Sequence, residues 1–213
     1  MHKIILLFSV LFLISCSGLK NTKKTPPTNL SFSSAQTQLI MQADSLTPMR
    51  VFKTTNESDS LLLRTKCEMV NADPNDPVLQ TFVNRLYRTV IDSMSLGVGI
   101  AAPQVGILKN IIWVQRFDKD KFPFEVYLNP KIIQYTEKKQ DCMEGCLSIP
   151  NRRATTKSRD YAILIEYDQL DGSHKTEMVE GFTAVIFQHE IDHLNGILFL
   201  DLLGEEVEEK KGK

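Results

Sequence analysis

Apolar residues fall along this chain in several distinct rhythms, and each predicts a different kind of structure. From Ile4 to Ile14 they run almost without a break, behind Lys3 and ahead of the small Ser15 and Cys16. That run is short for a membrane span and has the layout of a secretory signal. From residue 17 to about residue 45 the period disappears. Asn21–Thr28 and Ser31–Gln38 are polar and rich in Pro, Ser and Thr, which predicts a flexible tether. A helical period begins at Asp76-Pro77, with Asp placed to cap and Pro in the first turn. Val78, Leu79, Phe82, Val83, Leu86, Val90, Ile91 and Met94 then line one face of the predicted helix.

Shorter apolar runs follow at Ile111–Phe117, Phe124–Leu128 and Ile132–Thr136 and read as strands. Tyr161–Tyr167 alternates, turns at Asp171-Gly172 and returns through Thr176–Val179 as a hairpin. A last helix, from about Phe182 to Leu194, stops at Asn195-Gly196. A helix, then strands, then a helix predicts an α+β fold, with antiparallel strands packed around the C-terminal helix. The expected organisation is a signal over 1–15, an acylated cysteine and tether over 16–45, a catalytic domain over 46–204 and a charged tail over 205–213.

Composition narrows the function classes only slightly. The 213 residues are 42% hydrophobic and 24% charged, which suffices for one domain with a sizeable core. A formal net charge of −1 gives no electrostatic case for nucleic acid, whose binders usually carry a basic face, so none is expected as a partner.

The last helix carries the candidate chemistry. His189-Glu190-Ile191-Asp192-His193 sets two imidazoles at i and i+4, on one face, where they can converge on a single ion. Glu190 is then within reach of a water at that ion. Phe182, Val185 and Ile186 lie upstream on the same stripe, so the histidines are expected to face inward. Cys146, in Glu144-Gly145-Cys146-Leu147-Ser148-Ile149-Pro150, is the preferred third ligand. A thiolate with two imidazoles leaves a fourth position open for water. Taken alone, the same cysteine reads as a small buried hydrophobe. Asp201 is the weaker alternative, and a zinc-protease reading needs a downstream ligand of that kind.

Gly97-Val98-Gly99-Ile100-Ala101-Ala102-Pro103-Gln104 mimics a dinucleotide fingerprint. A long helix before it and Pro103 within it are the wrong context for a nucleotide loop. Glycines here suit the close approach of a peptide backbone instead, and Gln104 offers an amide donor for a developing oxyanion.

These two segments and Gln188–Leu194 resemble the signature motifs of the peptide deformylases, in family order and at matching spacing. The resemblance covers residues 48–203 and takes in Ser60–Arg64, which is similar to the family's early segment. It implies that Cys146, His189 and His193 hold one divalent metal, Fe(II) in the family, with Zn(II) or Ni(II) as alternatives. It implies that Glu190 takes a proton and hands it to the leaving amine. The Gln104 amide and the Leu147 N–H would face the oxyanion. Val98 and Gly99 would lie beside an extended substrate, Arg153 would touch it further along, and Val185 and Ile186 would line a methionine pocket. Glu144 is expected to partner an arginine or to orient a ligand. The implied reaction releases formate from an N-formyl peptide, by a monomer. A protein that binds metal and N-blocked peptides without turnover is the alternative, and the intact Glu190 and Gln104 weigh against it.

Leu13-Ile14-Ser15-Cys16 resembles a lipobox, which implies acylation of Cys16 and a lipoprotein anchored to a membrane and facing outside the cytoplasm. Translation from Met41 or Met49 would instead make a cytoplasmic enzyme. Acylation of Cys16 leaves Cys67, Cys142 and Cys146, an odd set, and Cys67 and Cys142 are read as free thiols rather than a pair. Oxidising surroundings would favour zinc over ferrous iron.

Overall fold

Asp76 caps α3 (Pro77–Ile91) as its position predicts, accepting hydrogen bonds from the N–H groups of Val78 and Leu79 at 2.8 and 3.3 Å. Leu79, Phe82, Val83, Leu86 and Val90 are buried. The computed structural model describes residues 30–92 and 97–203. The predicted signal, Cys16, Met94 and the charged tail over 205–213 lie outside the described residues.

The strands are β1 (Gly99–Ala101), β2 (Ile111–Gln115), β3 (Phe124–Tyr135), β4 (Lys139–Cys146), β5 (Ile149–Asp160), β6 (Ala162–Asp168) and β7 (His174–Glu180). A five-stranded antiparallel sheet has the order β1-β2-β3-β6-β7, and β4 and β5 form a separate ribbon. Successive residues of a strand point to opposite faces, so Ile111 and Ile112 enter different cores. The first core is shared with α3. The second is shared with α4 (Gly181–Leu194), the helix of the histidines. α4 ends at Asn195, and Gly196 takes φ 75°, where a Cβ would stand 2.4 Å from the Arg64 carbonyl. Only glycine fits that end.

Some predicted boundaries are corrected. The tether expected through residue 45 gives way to folded structure earlier, because α1 (Ser34–Met41) is capped by Ser33 and Gln36. Ile40 is buried, and Phe32 meets Phe82 edge-on at 5.9 Å. So few apolar anchors in so short a helix leave no visible period. β3 is one strand rather than two. Asn129, at φ 51°, and Pro130 fall at a register shift against β6, so the strand bends without ending. The β4–β5 ribbon was not anticipated, because β5 is mostly polar and shows no apolar alternation. A short α2 (Glu57–Leu63) precedes α3.

Candidate metal centre

The α4 helix sets the rings of His189 and His193 one turn apart, with centroids 5.0 Å from each other. Cys146 is the last residue of β4, where the ribbon turns through Leu147 and Ser148 and pairs Cys146 with Ile149. The two elements meet so that Cys146 Sγ lies 3.2 Å from His193 Nε2. The sulfur and one nitrogen of each imidazole all lie within 4.8 Å of one another. Asp201 is elsewhere, paired with Arg64 and accepting from the Leu198 N–H at 2.9 Å. The weaker ligand alternative is thereby corrected.

Glu144, two residues before Cys146, lies behind the site. Its Oε2 is 2.7 Å from His189 Nδ1, which leaves Nε2 as the nitrogen available to an ion. Arg159 of β5 donates to the same carboxylate through Nε and Nη2 at 2.8 and 2.9 Å, and Thr156 adds its hydroxyl. The third guanidinium nitrogen donates to Asp192 at 2.6 Å. Both expected partners of Glu144, an arginine and a ligand-orienting bond, are present. Burial alone would raise the Glu144 pKa, but hydrogen bonds from His189 and Arg159 hold it at about 2. Arg159 itself goes unmarked in the sequence, because only strand register brings it to Glu144.

Burial also opposes ionisation of Cys146, yet the adjacent imidazoles bring its thiol well below the usual value. Glu190 is buried, its Oε2 has no hydrogen-bond partner among the described residues, and burial pushes its pKa up to about 7. An easily ionised sulfur, two imidazoles, an orienting carboxylate and an unpartnered buried oxygen together fit a small divalent cation.

Gln104 is buried in the short 3-10 turn, Ala102–Val105, that follows β1. Its Oε1 accepts from the Ala101 N–H at 2.8 Å, which turns Nε2 toward Ser148 Oγ at 3.2 Å and Cys146 Sγ at 3.6 Å. A cavity of about 780 Å³ opens over these groups. Every residue expected to touch substrate lines it: Val98, Gly99, Arg153, Val185 and Ile186, together with Leu147. Phe182 is a correction. It is half exposed at the cavity mouth, against Phe117 at 5.3 Å, because it sits in the first turn of α4 beyond the sheet. Cys67 and Cys142 are free thiols.

Gly99 matters for space. A Cβ there would stand 2.5 Å from Glu190 Oε1 and 2.8 Å from Ile186 Cγ2. Gly99→Ala is therefore expected to displace the carboxylate and lower kcat by about 10²-fold. Steady-state kinetics with metal-saturated protein would check this, and an unchanged kcat would mean that Glu190 does not need that space.

Comparison with known proteins agrees with this geometry. Residues 50–209 match the family model described as polypeptide deformylase. A curated peptide deformylase of Desulforudis audaxviator is 39% identical over 155 residues, covering 72% of this chain and 94% of the relative. One of Finegoldia magna is 35% identical over 156 residues, covering 71% and 91%. Among solved structures, an actinonin-bound class I type b peptide deformylase from Acinetobacter baumannii superposes with a TM-score of 0.64 at 32% identity, covering 73% of this chain and 98% of that one. The Met-Ala-Ser-bound form of the same enzyme gives 0.62 at 33% identity, with the same coverage.

Proposed function

Because the chain belongs to the polypeptide deformylase family, we propose that it removes the formyl group from N-formylmethionyl peptides as an exported enzyme held on a membrane by acylated Cys16. It is a peptide deformylase, a hydrolase of the formamide C–N bond. The observation that carries the chemistry is the convergence of Cys146, His189 and His193 within 4.8 Å, beside the unpartnered oxygen of Glu190.

A divalent metal held by Cys146, His189 and His193 would act as a Lewis acid, bringing the pKa of water down to about 7 and polarising the formyl carbonyl. Around it the chain's own groups have separate tasks. The Glu190 carboxylate accepts the proton of the attacking water and returns it to the leaving nitrogen. The Gln104 amide and the Leu147 N–H donate to the carbonyl oxygen as it gains negative charge. Glu144 holds His189 in one orientation and one tautomer. The substrate lies extended beside Val98 and Gly99, with Arg153 contacting it further along. Val185 and Ile186 face the methionine side chain, and an apolar wall of this kind discriminates by only about 1–3 kcal/mol per methylene.

Formate release from formyl-Met peptides, abolished by a chelator and restored by added metal, is the expected result. Metal that is bound without turnover would instead favour a binding protein. Elemental analysis of anaerobically purified protein identifies the native ion. Zinc, or else an anaerobic host, is the expectation for an exported enzyme, since ferrous iron and a thiolate both suffer in oxidising surroundings.

The export half of the proposal rests on the apolar run over 4–14 and the Leu13-Ile14-Ser15-Cys16 sequence. Cells labelled with a fatty acid should incorporate it into the wild-type chain and not into Cys16→Ala. A label that survives that substitution, or none in either protein, would retire the lipoprotein reading in favour of a start at Met41 or Met49.

A further inference from the structure

We propose that Lys53 is a positioning residue for the reaction, holding the Leu147 backbone so that its N–H meets the developing oxyanion; this rests on the deformylase reading above. The segment over 50–54, outside any helix or strand, is stitched to both oxyanion donors. Phe52 N–H donates to the Gln104 carbonyl at 2.7 Å, and Thr54 N–H donates to the Ser148 carbonyl at 2.9 Å. Between them, Lys53 Nζ donates to the Leu147 carbonyl at 2.5 Å.

Lys53 is itself anchored. Its N–H donates at 3.0 Å to Oδ2 of Asp59, a buried carboxylate that also takes a two-pronged bond from Arg50 at 2.7 and 2.9 Å. Asn56, the cap of α2, accepts from the Asp59 N–H at 3.0 Å and so fixes where that carboxylate stands. The Arg50 guanidinium lies 4.1 Å over the Phe52 ring, and Phe52 fills the space beside Gly106. The brace is thus built from α2 outward and ends on the turn.

That turn needs a brace. Leu147 lies between β4 and β5, and the ladder pairs Cys146 with Ile149, so Leu147 itself has no partner across the ribbon. With the Leu147 and Ser148 carbonyls both held, the turn has little freedom to rotate, and the direction of the Leu147 N–H is set. A charged donor makes roughly twice the hydrogen bond of a neutral one. Oxyanion donors act through being fixed before the charge develops, at about 2.7–3.1 Å from it. Lys53 never touches the substrate in this account.

The test uses the full-length, metal-saturated enzyme. Lys53→Met is expected to lower kcat about tenfold while KM for a formyl-Met peptide stays within about twofold. Bound metal should be unchanged, and amide hydrogen exchange over 146–148 should quicken. Lys53→Arg should recover most of the lost kcat, since a guanidinium can donate to the same carbonyl. A Lys53→Met enzyme with wild-type kcat would overturn the role. So would a loss that tracks missing metal and is not recovered by Lys53→Arg. A metal-replete wild type without turnover would overturn the deformylase reading itself, and this role with it.

Discussion

Glu190→Gln is expected to keep the metal and lose most of the turnover, with kcat for a formyl-Met peptide down by about 10²–10⁴-fold. Glu190 is only 4% exposed, and a Cβ on Gly99 would come within 2.5 Å of its Oε1, so this corner has no room for a larger or displaced group. Glutamine has the same shape and fits the space. It has no basic oxygen able to take up a full proton, so it removes the proton transfer and leaves the geometry. KM should therefore change little, which separates a lost transition-state contact from lost binding. Burial raises the Glu190 pKa to about 7, and a cation beside it works in the opposite direction. Parallel measurement of formate release and metal content decides the matter, and equal rates in the two proteins would end the general-base role.

Arg159→Met is expected to destabilise the fold by about 3–5 kcal/mol, the usual consequence of removing one partner from a buried ion pair. Glu144 and Arg159 side chains are each 4% exposed, and without Arg159 the Glu144 carboxylate keeps only His189 and Thr156. Asp192 loses its guanidinium partner as well. Chemical denaturation of the metal-free protein measures this term. Metal affinity should fall too, by about 10–100-fold, because the carboxylate that orients His189 is no longer held from behind. The pH dependence has a definite sign. Glu144 is held at about 2, below the ordinary carboxylate value, so its contribution to stability is complete above that ordinary value. It is lost as pH falls towards about 2. Arg159→Met should flatten that acid limb. Wild-type stability and affinity in this variant would remove the pair from the account.

Legibility along the chain followed the range of each interaction. The caps at Asp76 and Asn195-Gly196, the α3 stripe and the spacing of His189 and His193 are properties of a few consecutive residues, and they appear in the structure where the pattern predicts. The β6–β7 hairpin belongs with them, since its turn residues are local. β4 and β5 are different. Their ribbon buries Glu144, Thr156 and Arg159 rather than an apolar row, so alternation does not announce it. α1 is held by Phe32, Leu39 and Ile40, too few apolar positions to stand out from a polar segment.

The sequence by itself carried the metal-binding pattern, because i and i+4 on a helix put His189 and His193 on one face, and its resemblance to the deformylase motifs, rather than spacing alone, pointed to the reaction class. Tertiary structure alone decided which groups hold those residues still. Arg159 reaches Glu144 across 15 residues through strand register, and Lys53 reaches Leu147 across 94 through a loop anchored on α2. Hydrogen bonds of that range depend on how separately formed elements pack, and no spacing along the chain encodes them.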